Sequence, residues 1–139
     1  MCVIKLIQPE DIKTIIPLLN KLNPNISNVV LETRLEEMIQ NNYECVGVYD
    51  EDKLVGISGL WILTKYYVGK HIELDNVYLS PEYQGTGLGK QLVNWILDYG
   101  KSKGCIASEL NCYVDNAKGN KFWSAMGYEK IGYHYAKKI

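Results

Sequence analysis

Apolar positions along the chain repeat with two different periods. Val3 to Ile7, β-branched and apolar around Lys5, reads as a short strand. Pro9, Glu10 and Asp11 then open a helical pattern, with Ile12, Ile15, Ile16, Leu19 and Leu22 on one face until Asn23-Pro24-Asn25 stops it. Ser27 is placed to cap a second helix whose inner face carries Leu31, Leu35, Met38 and Ile39. Two strand-like runs follow, Tyr43 to Tyr49 and Leu54 to Leu63, and Asp50-Glu51-Asp52 between them reads as a hairpin turn. Tyr66 to Lys70 reads as a loop and Ile72 to Leu79 as a strand ended by Ser80-Pro81. Leu88, Leu92, Val93, Ile96 and Leu97 recur at helical spacing up to Gly104. Ile106 to Val114 reads as a strand, Asp115 to Met126 as a short helix closed by Gly127, and Tyr128 to Lys138 as a last strand. The predicted order is β-α-α-β-β-β-α-β-α-β, an α/β chain with one mixed sheet covered on both faces. No repeat or linker interrupts it, so residues 1–139 are expected to form a single domain.

Within the strand from Ile72 to Leu79 the alternation slips. Ile72 and Leu74 share one phase, Val77 and Leu79 the other. A regular strand keeps a period of two, so the slip predicts a β-bulge near Asp75 and Asn76. Glu73 and Asp75 stand two apart and share a face if the bulge begins after Asp75.

The segment Gln84-Gly85-Thr86-Gly87-Leu88-Gly89-Lys90 lies between that strand and an amphipathic helix. Alternate glycines let the backbone approach a ligand closely, and the first turn of a helix presents unpaired N–H groups with a dipole that favours anions. The segment is therefore a candidate pyrophosphate site. It is not a Gly-x-x-x-x-Gly-Lys-Ser/Thr loop, because Gln84 stands where the first glycine belongs and Gln91 where Ser or Thr belongs. Nor is it Gly-x-Gly-x-x-Gly, whose third glycine is met by Lys90 or Leu92. It fits Gln/Arg-x-x-Gly-x-Gly/Ala through Gln84, Gly87 and Gly89.

That motif, its placement and the element order resemble the GNAT superfamily of N-acetyltransferases over essentially the whole chain. The resemblance implies a fold and a reaction, transfer of acetyl from acetyl-CoA to a primary amine by direct attack, without a metal. It implies that backbone amides from Gly85 to Lys90, including those of Thr86, Gly87, Leu88 and Gly89, hold the CoA pyrophosphate, with Gln84 ordering the loop. The pantetheine arm would pair with the strand carrying Val77 and Leu79, and Asn116 would contact CoA. The Val77 N–H would stabilise the oxyanion. Glu73 or Asp75 would serve as general base or attract a cationic amine, with Glu73 favoured by family analogy. One position departs from the pattern: Trp123 stands where many members carry a tyrosine acid, and indole is not a useful acid. Tyr113, Tyr128, Tyr133 and His134 are the available substitutes. The departure keeps open a second reading, a module that senses acyl-CoA without turnover. A third, a pure interaction domain, draws on the eleven tyrosines.

Charge and cysteine content narrow the partners. A formal net charge of −1 gives no general basic surface, so no nucleic acid is expected. No apolar run approaches the roughly 20 residues that span a bilayer, and the N-terminus lacks the features of a signal peptide. Cys2, Cys45, Cys105 and Cys112 form no C-x-x-C pair and are expected to be free thiols of a cytoplasmic protein. The expected acceptor is the amine of a small cationic molecule. The strand at Tyr133-His134-Tyr135, if it lies at a sheet edge, makes a homodimer possible.

Overall fold

The computed structural model describes residues 1–139. Strands β1 (Cys2–Ile7), β2 (Glu44–Asp50), β3 (Lys53–Lys65), β4 (Gly69–Leu79) and β5 (Ala107–Leu110) form one sheet in chain order. The first four are antiparallel neighbours and β5 runs parallel to β4. Helices α1 (Ile16–Leu22) and α2 (Asn28–Gln40) connect β1 to β2. Helix α3 (Leu88–Ser102) is the crossover between β4 and β5, and α4 (Ala117–Ala125) follows β5. No helix is long and apolar enough to cross a membrane.

Two hydrophobic clusters cover the two faces of the sheet. One gathers Val46, Val48, Ile72, Leu74, Leu88, Leu92, Val93 and Ile96 between the sheet and α3. The other gathers Ile12, Ile15, Ile16, Leu31, Leu35, Tyr43, Cys45 and Ile57 under α1 and α2. This is the two-sided mixed sheet that the sequence periods predict. Ser27 caps α2 as expected, its Oγ accepting from the Val30 N–H at 3.3 Å. The hairpin also forms, with Asp50 opposite Lys53 and Glu51 at φ 53° in the turn.

Strand β4 begins at Gly69, inside the expected loop of Tyr66 to Lys70, and three larger departures from expectation each have a physical reason. Residues Pro9–Ile15 form a 3-10 segment, and the α-helix begins only at Ile16. Pro17 has no N–H to donate into the preceding turn, so the α-helical ladder cannot extend back through it. Strand β5 ends at Leu110 rather than Val114, because its pairing with β4 stops at Leu74 opposite Leu110. The last strand, Tyr128 to Lys138, does not form: residues 129–139 are exposed and join no ladder. A tyrosine-rich run supplies the side chains of a strand but not the neighbour whose hydrogen bonds define one.

Candidate active site

The bulge predicted in β4 is present. Asp75 pairs with Gly59 and Tyr78 with Ile57, so Ser58 alone opposes Asn76 and Val77. Asn76 takes φ 36°, a left-handed conformation that Asn tolerates better than most residues. The extra residue shifts the phase: Ile72, Leu74, Val77 and Leu79 all pack toward α3, while Tyr78 turns toward α1 and α2. Beyond Leu74 no residue of β4 pairs with β5. From Asp75 to Leu79 the strand therefore has β3 on one side and no paired strand on the other.

Glu73 and Asp75 precede the bulge and stand on one face, as expected. Trp61 of β3, Glu73 and Glu109 of β5 are register partners across three strands. Glu73 Oε2 lies 3.2 Å from Lys65 Nζ and 2.8 Å from His71 Nε2. Burial alone would raise the Glu73 carboxyl, but the hydrogen bonds and charges of His71 and Lys65 outweigh it and hold the group below the usual carboxylate range. Asp75 is fixed differently: Trp61 Nε1 donates to its Oδ2 at 3.2 Å and the Asn76 N–H to its Oδ1 at 2.8 Å.

The glycine loop follows directly on β4. Gly85 and Gly87 take φ 74° and 86°, where a side chain is disfavoured. No backbone N–H from Gly85 to Lys90 donates to a backbone acceptor; the first in-helix donor of α3 is the Gln91 N–H, to Gly87. The loop thus offers a row of free donors at a helix N-terminus, the arrangement that a pyrophosphate needs. Gln84 orders this loop from both ends of its amide: Nε2 donates to the Leu79 carbonyl at 2.8 Å and Oε1 accepts from Lys118 Nζ at 2.7 Å. Gly89 faces Phe122 of α4, and a Cβ there would meet its ring at 3.4 Å, in ordinary contact. Asn116 caps α4, its Oδ1 accepting from the Gly119 N–H at 2.9 Å.

The structure thus brings Gln84 and its loop to the end of the strand that carries Glu73, Asp75, Val77 and Leu79, and links Gln84 to α4, which Asn116 caps. Trp123, partly buried, packs edge-on against Phe122 and Tyr128 at the margin of the core. Of the substitutes for a tyrosine acid, Tyr128 is tied to Ser108 Oγ at 2.7 Å and its phenol is pushed up by burial. Tyr113 is exposed, and Tyr133 and His134 lie in the exposed segment after α4. Sequence reasoning missed His71, Lys65, Glu109, Trp61 and Lys118. His71 was within reach, because it stands two before Glu73 on the same strand and hence the same face. The others depend on cross-strand register or on helix placement, which the local pattern does not carry.

Comparison with known proteins bears on the family and the fold. Residues 14–128 match the model of the Acetyltransferase (GNAT) family. The thialysine N-epsilon-acetyltransferase of Sus scrofa is 26% identical over 74 residues, which are 53% of this chain and 44% of that protein. Across the curated relatives it matches, the aligned part spans 25% to 51% of their length. Among solved structures, the glucosamine-6-phosphate N-acetyltransferase of Arabidopsis thaliana superposes with a TM-score of 0.76 at 22% identity, covering 100% of this chain and 99% of that one. The aminoglycoside N-acetyltransferase AAC(6')-Iy in complex with CoA superposes with a TM-score of 0.86 at 18% identity, covering 100% and 95%. With five-sixths of its length inside the family model and the same fold throughout, the chain belongs to the GNAT family of acetyltransferases.

Proposed function

We propose that the protein is an N-acetyltransferase that moves the acetyl group of acetyl-CoA to the primary amine of a small cationic molecule by direct attack. The observation that carries this reading is the edge of β4 from Asp75 to Leu79 that no strand pairs, followed directly by a loop of free N–H donors. Acetyl-CoA supplies an activated acyl group when bound. The residues present fit it: amides of Gly85 to Lys90 for the pyrophosphate, the unpaired side of Val77 and Leu79 for the pantetheine arm, and Asn116 at the start of α4. A CoA-bound neighbour of the same fold supports the assignment.

The chain's own groups then divide the work. Glu73 stays ionised at neutral pH and draws in an ammonium, whose proton it takes through a water so that the amine nitrogen can attack. Asp75 is the other carboxylate on that face. The Val77 N–H, at the bulge, donates to the oxygen on which negative charge develops as the carbon–nitrogen bond forms and the carbon–sulfur bond breaks. A thiol of ordinary acidity, near ~8.5, leaves as thiolate without an acid, which suits a site with Trp123 in the tyrosine place. Relatives named for thialysine, glucosamine 6-phosphate and aminoglycosides support an amine acceptor. The four unpaired cysteines suit a reducing compartment, and we place the enzyme in the cytoplasm.

The test is a melting experiment with and without saturating acetyl-CoA, beside a Gly87→Trp variant. At 100 times its dissociation constant the ligand adds about 2.7 kcal/mol. A shift in the wild type that the variant lacks, followed by thiol release on adding amines, is the expected result. A folded protein without a shift overturns the reading. A shift with no thiol release for any cationic amine favours the acyl-CoA sensor, which the packing of Trp123 keeps open. Ile131, Tyr133 and Tyr135, exposed on the unpaired segment, favour a homodimer, which sedimentation of the full chain checks.

A further inference from the structure

Glu73 and Glu109 are direct register partners on β4 and β5. Like charges placed opposite each other in a sheet repel. Both side chains are only about one-fifth exposed, at 23% and 20%, so water screens them incompletely. Something must hold two carboxylates there, and the ring of His71 is in position to do it. Its Nε2 stands 2.8 Å from Glu73 Oε2 and 3.6 Å from Glu109 Oε1, and its side chain is wholly buried. The other ring nitrogen, Nδ1, lies 3.1 Å from the Gly69 carbonyl oxygen.

Every partner of the ring is an acceptor. A neutral imidazole has one N–H, so one nitrogen would turn a lone pair toward an oxygen. The doubly protonated ring satisfies both contacts, and a buried cation is tolerated where anions pair with it. The remaining groups around it are Lys65 of β3, 3.2 Å from Glu73 Oε2, and Tyr67 of the β3–β4 connection, whose hydroxyl donates to Glu109 Oε1 at 3.4 Å. Lys70 points elsewhere, to the Lys103 carbonyl at the end of α3. With His71 charged, the four ionised groups balance.

We infer that His71 is a positioning residue: an imidazolium beneath the acceptor face that clamps Glu73 and Glu109 together and keeps both as carboxylates turned toward an incoming ammonium. It acts through them, since its ring has no exposed surface to meet substrate. The role of that face as an acceptor site rests on the function proposed above; the clamp itself does not.

The first measurement is the two-bond proton–nitrogen NMR spectrum of the wild-type protein at pH 7. The inference expects His71 to show both ring nitrogens protonated, and a neutral-tautomer pattern overturns it. The second is a cycle of His71→Gln, Glu109→Gln and the double variant, read by melting temperature. The clamp predicts that Glu109→Gln recovers part of what His71→Gln loses, because it removes one of two facing charges; additive losses, as from packing alone, overturn it. In turnover, His71→Gln moves the acid limb of kcat/KM upward by about one pH unit while acetyl-CoA affinity is unchanged. If the spectrum and the cycle come out as expected but no amine is acetylated, the clamp stands and the proposed function fails.

Discussion

The Tyr43 hydroxyl donates to Asn76 Oδ1 at 2.9 Å, tying the residue before β2 to the left-handed residue of the β4 bulge. Tyr43 is buried, and burial first, with the neighbouring Cys45, pushes its phenol far up, so it remains a donor at any working pH. The other end of the Asn76 amide, Nδ2, is buried without a partner. The Tyr43 hydroxyl is thus the one partner of the Asn76 side-chain amide. Tyr43→Phe leaves Oδ1 unsatisfied as well, at a cost of about 1–3 kcal/mol in denaturant unfolding. If the unpaired edge beside the bulge receives pantetheine, the same variant also weakens acetyl-CoA binding by titration calorimetry.

Two glycine substitutions should separate fold from ligand. A Cβ on Gly59 would stand 2.2 Å from Asn76 Oδ1 and 2.6 Å from the Tyr43 ring, and neither neighbour is free to retreat. Gly59→Ala therefore lowers stability without ligand by about 1–3 kcal/mol, the range for an overpacked core. A Cβ on Gly87 meets nothing within 4 Å, and the variant is charged only for its positive φ, about 1–2 kcal/mol. Gly87→Ala is expected to melt a few degrees below the wild type, yet to lose more of the acetyl-CoA-induced shift than Gly59→Ala does.

What was legible in the sequence followed from local periods. The slip between Leu74 and Val77 located the bulge, because a phase change in a strand has few other causes. The free donors of the glycine loop were legible for the same reason: a strand end, alternate glycines and an amphipathic helix fix the backbone between them. Partners across the sheet were not. Nothing near Glu109 tells that it faces Glu73, since a parallel register is set by how α3 packs. The segment from Tyr128 shows the opposite failure. Its tyrosines suit a strand, but a strand is a relation between two segments, and no second one lies beside it. Pro17 was readable and decisive, as it moved the start of α1.

Asn116 has two roles to separate, an observed cap and a proposed cofactor contact. Its Oδ1 already serves the Gly119 N–H, leaving Nδ2 for a ligand. Asn116→Asp keeps the cap, since Asp caps as well as Asn, but replaces a donor by a negative charge. The expected result is a melting temperature within a degree or so of the wild type with weakened acetyl-CoA binding. Asn116→Ala loses both, with about 1 kcal/mol of stability. Equal affinity in both variants would remove Asn116 from the cofactor site.

Glu73 carries the clearest pH dependence. Its carboxyl is held low in the folded protein, after burial is offset by His71 and Lys65. A group depressed on folding stabilises the native state above its unfolded value, about 4.3, and that contribution is lost as pH falls through the folded value. Glu73→Gln removes the term, so the variant loses less stability than the wild type as pH drops from about 5 toward 3. Activity follows a different curve. With Glu73 ionised throughout the neutral range, kcat/KM falls only at acid pH, where Glu73 takes up a proton, and that limb is absent from Glu73→Gln. As the base, Glu73 contributes about 10²–10⁴-fold to kcat. Glu73→Gln is expected to lose that factor and Asp75→Asn much less; the reverse order would transfer the base to Asp75, and two mild losses would leave the face as a site of charge attraction only.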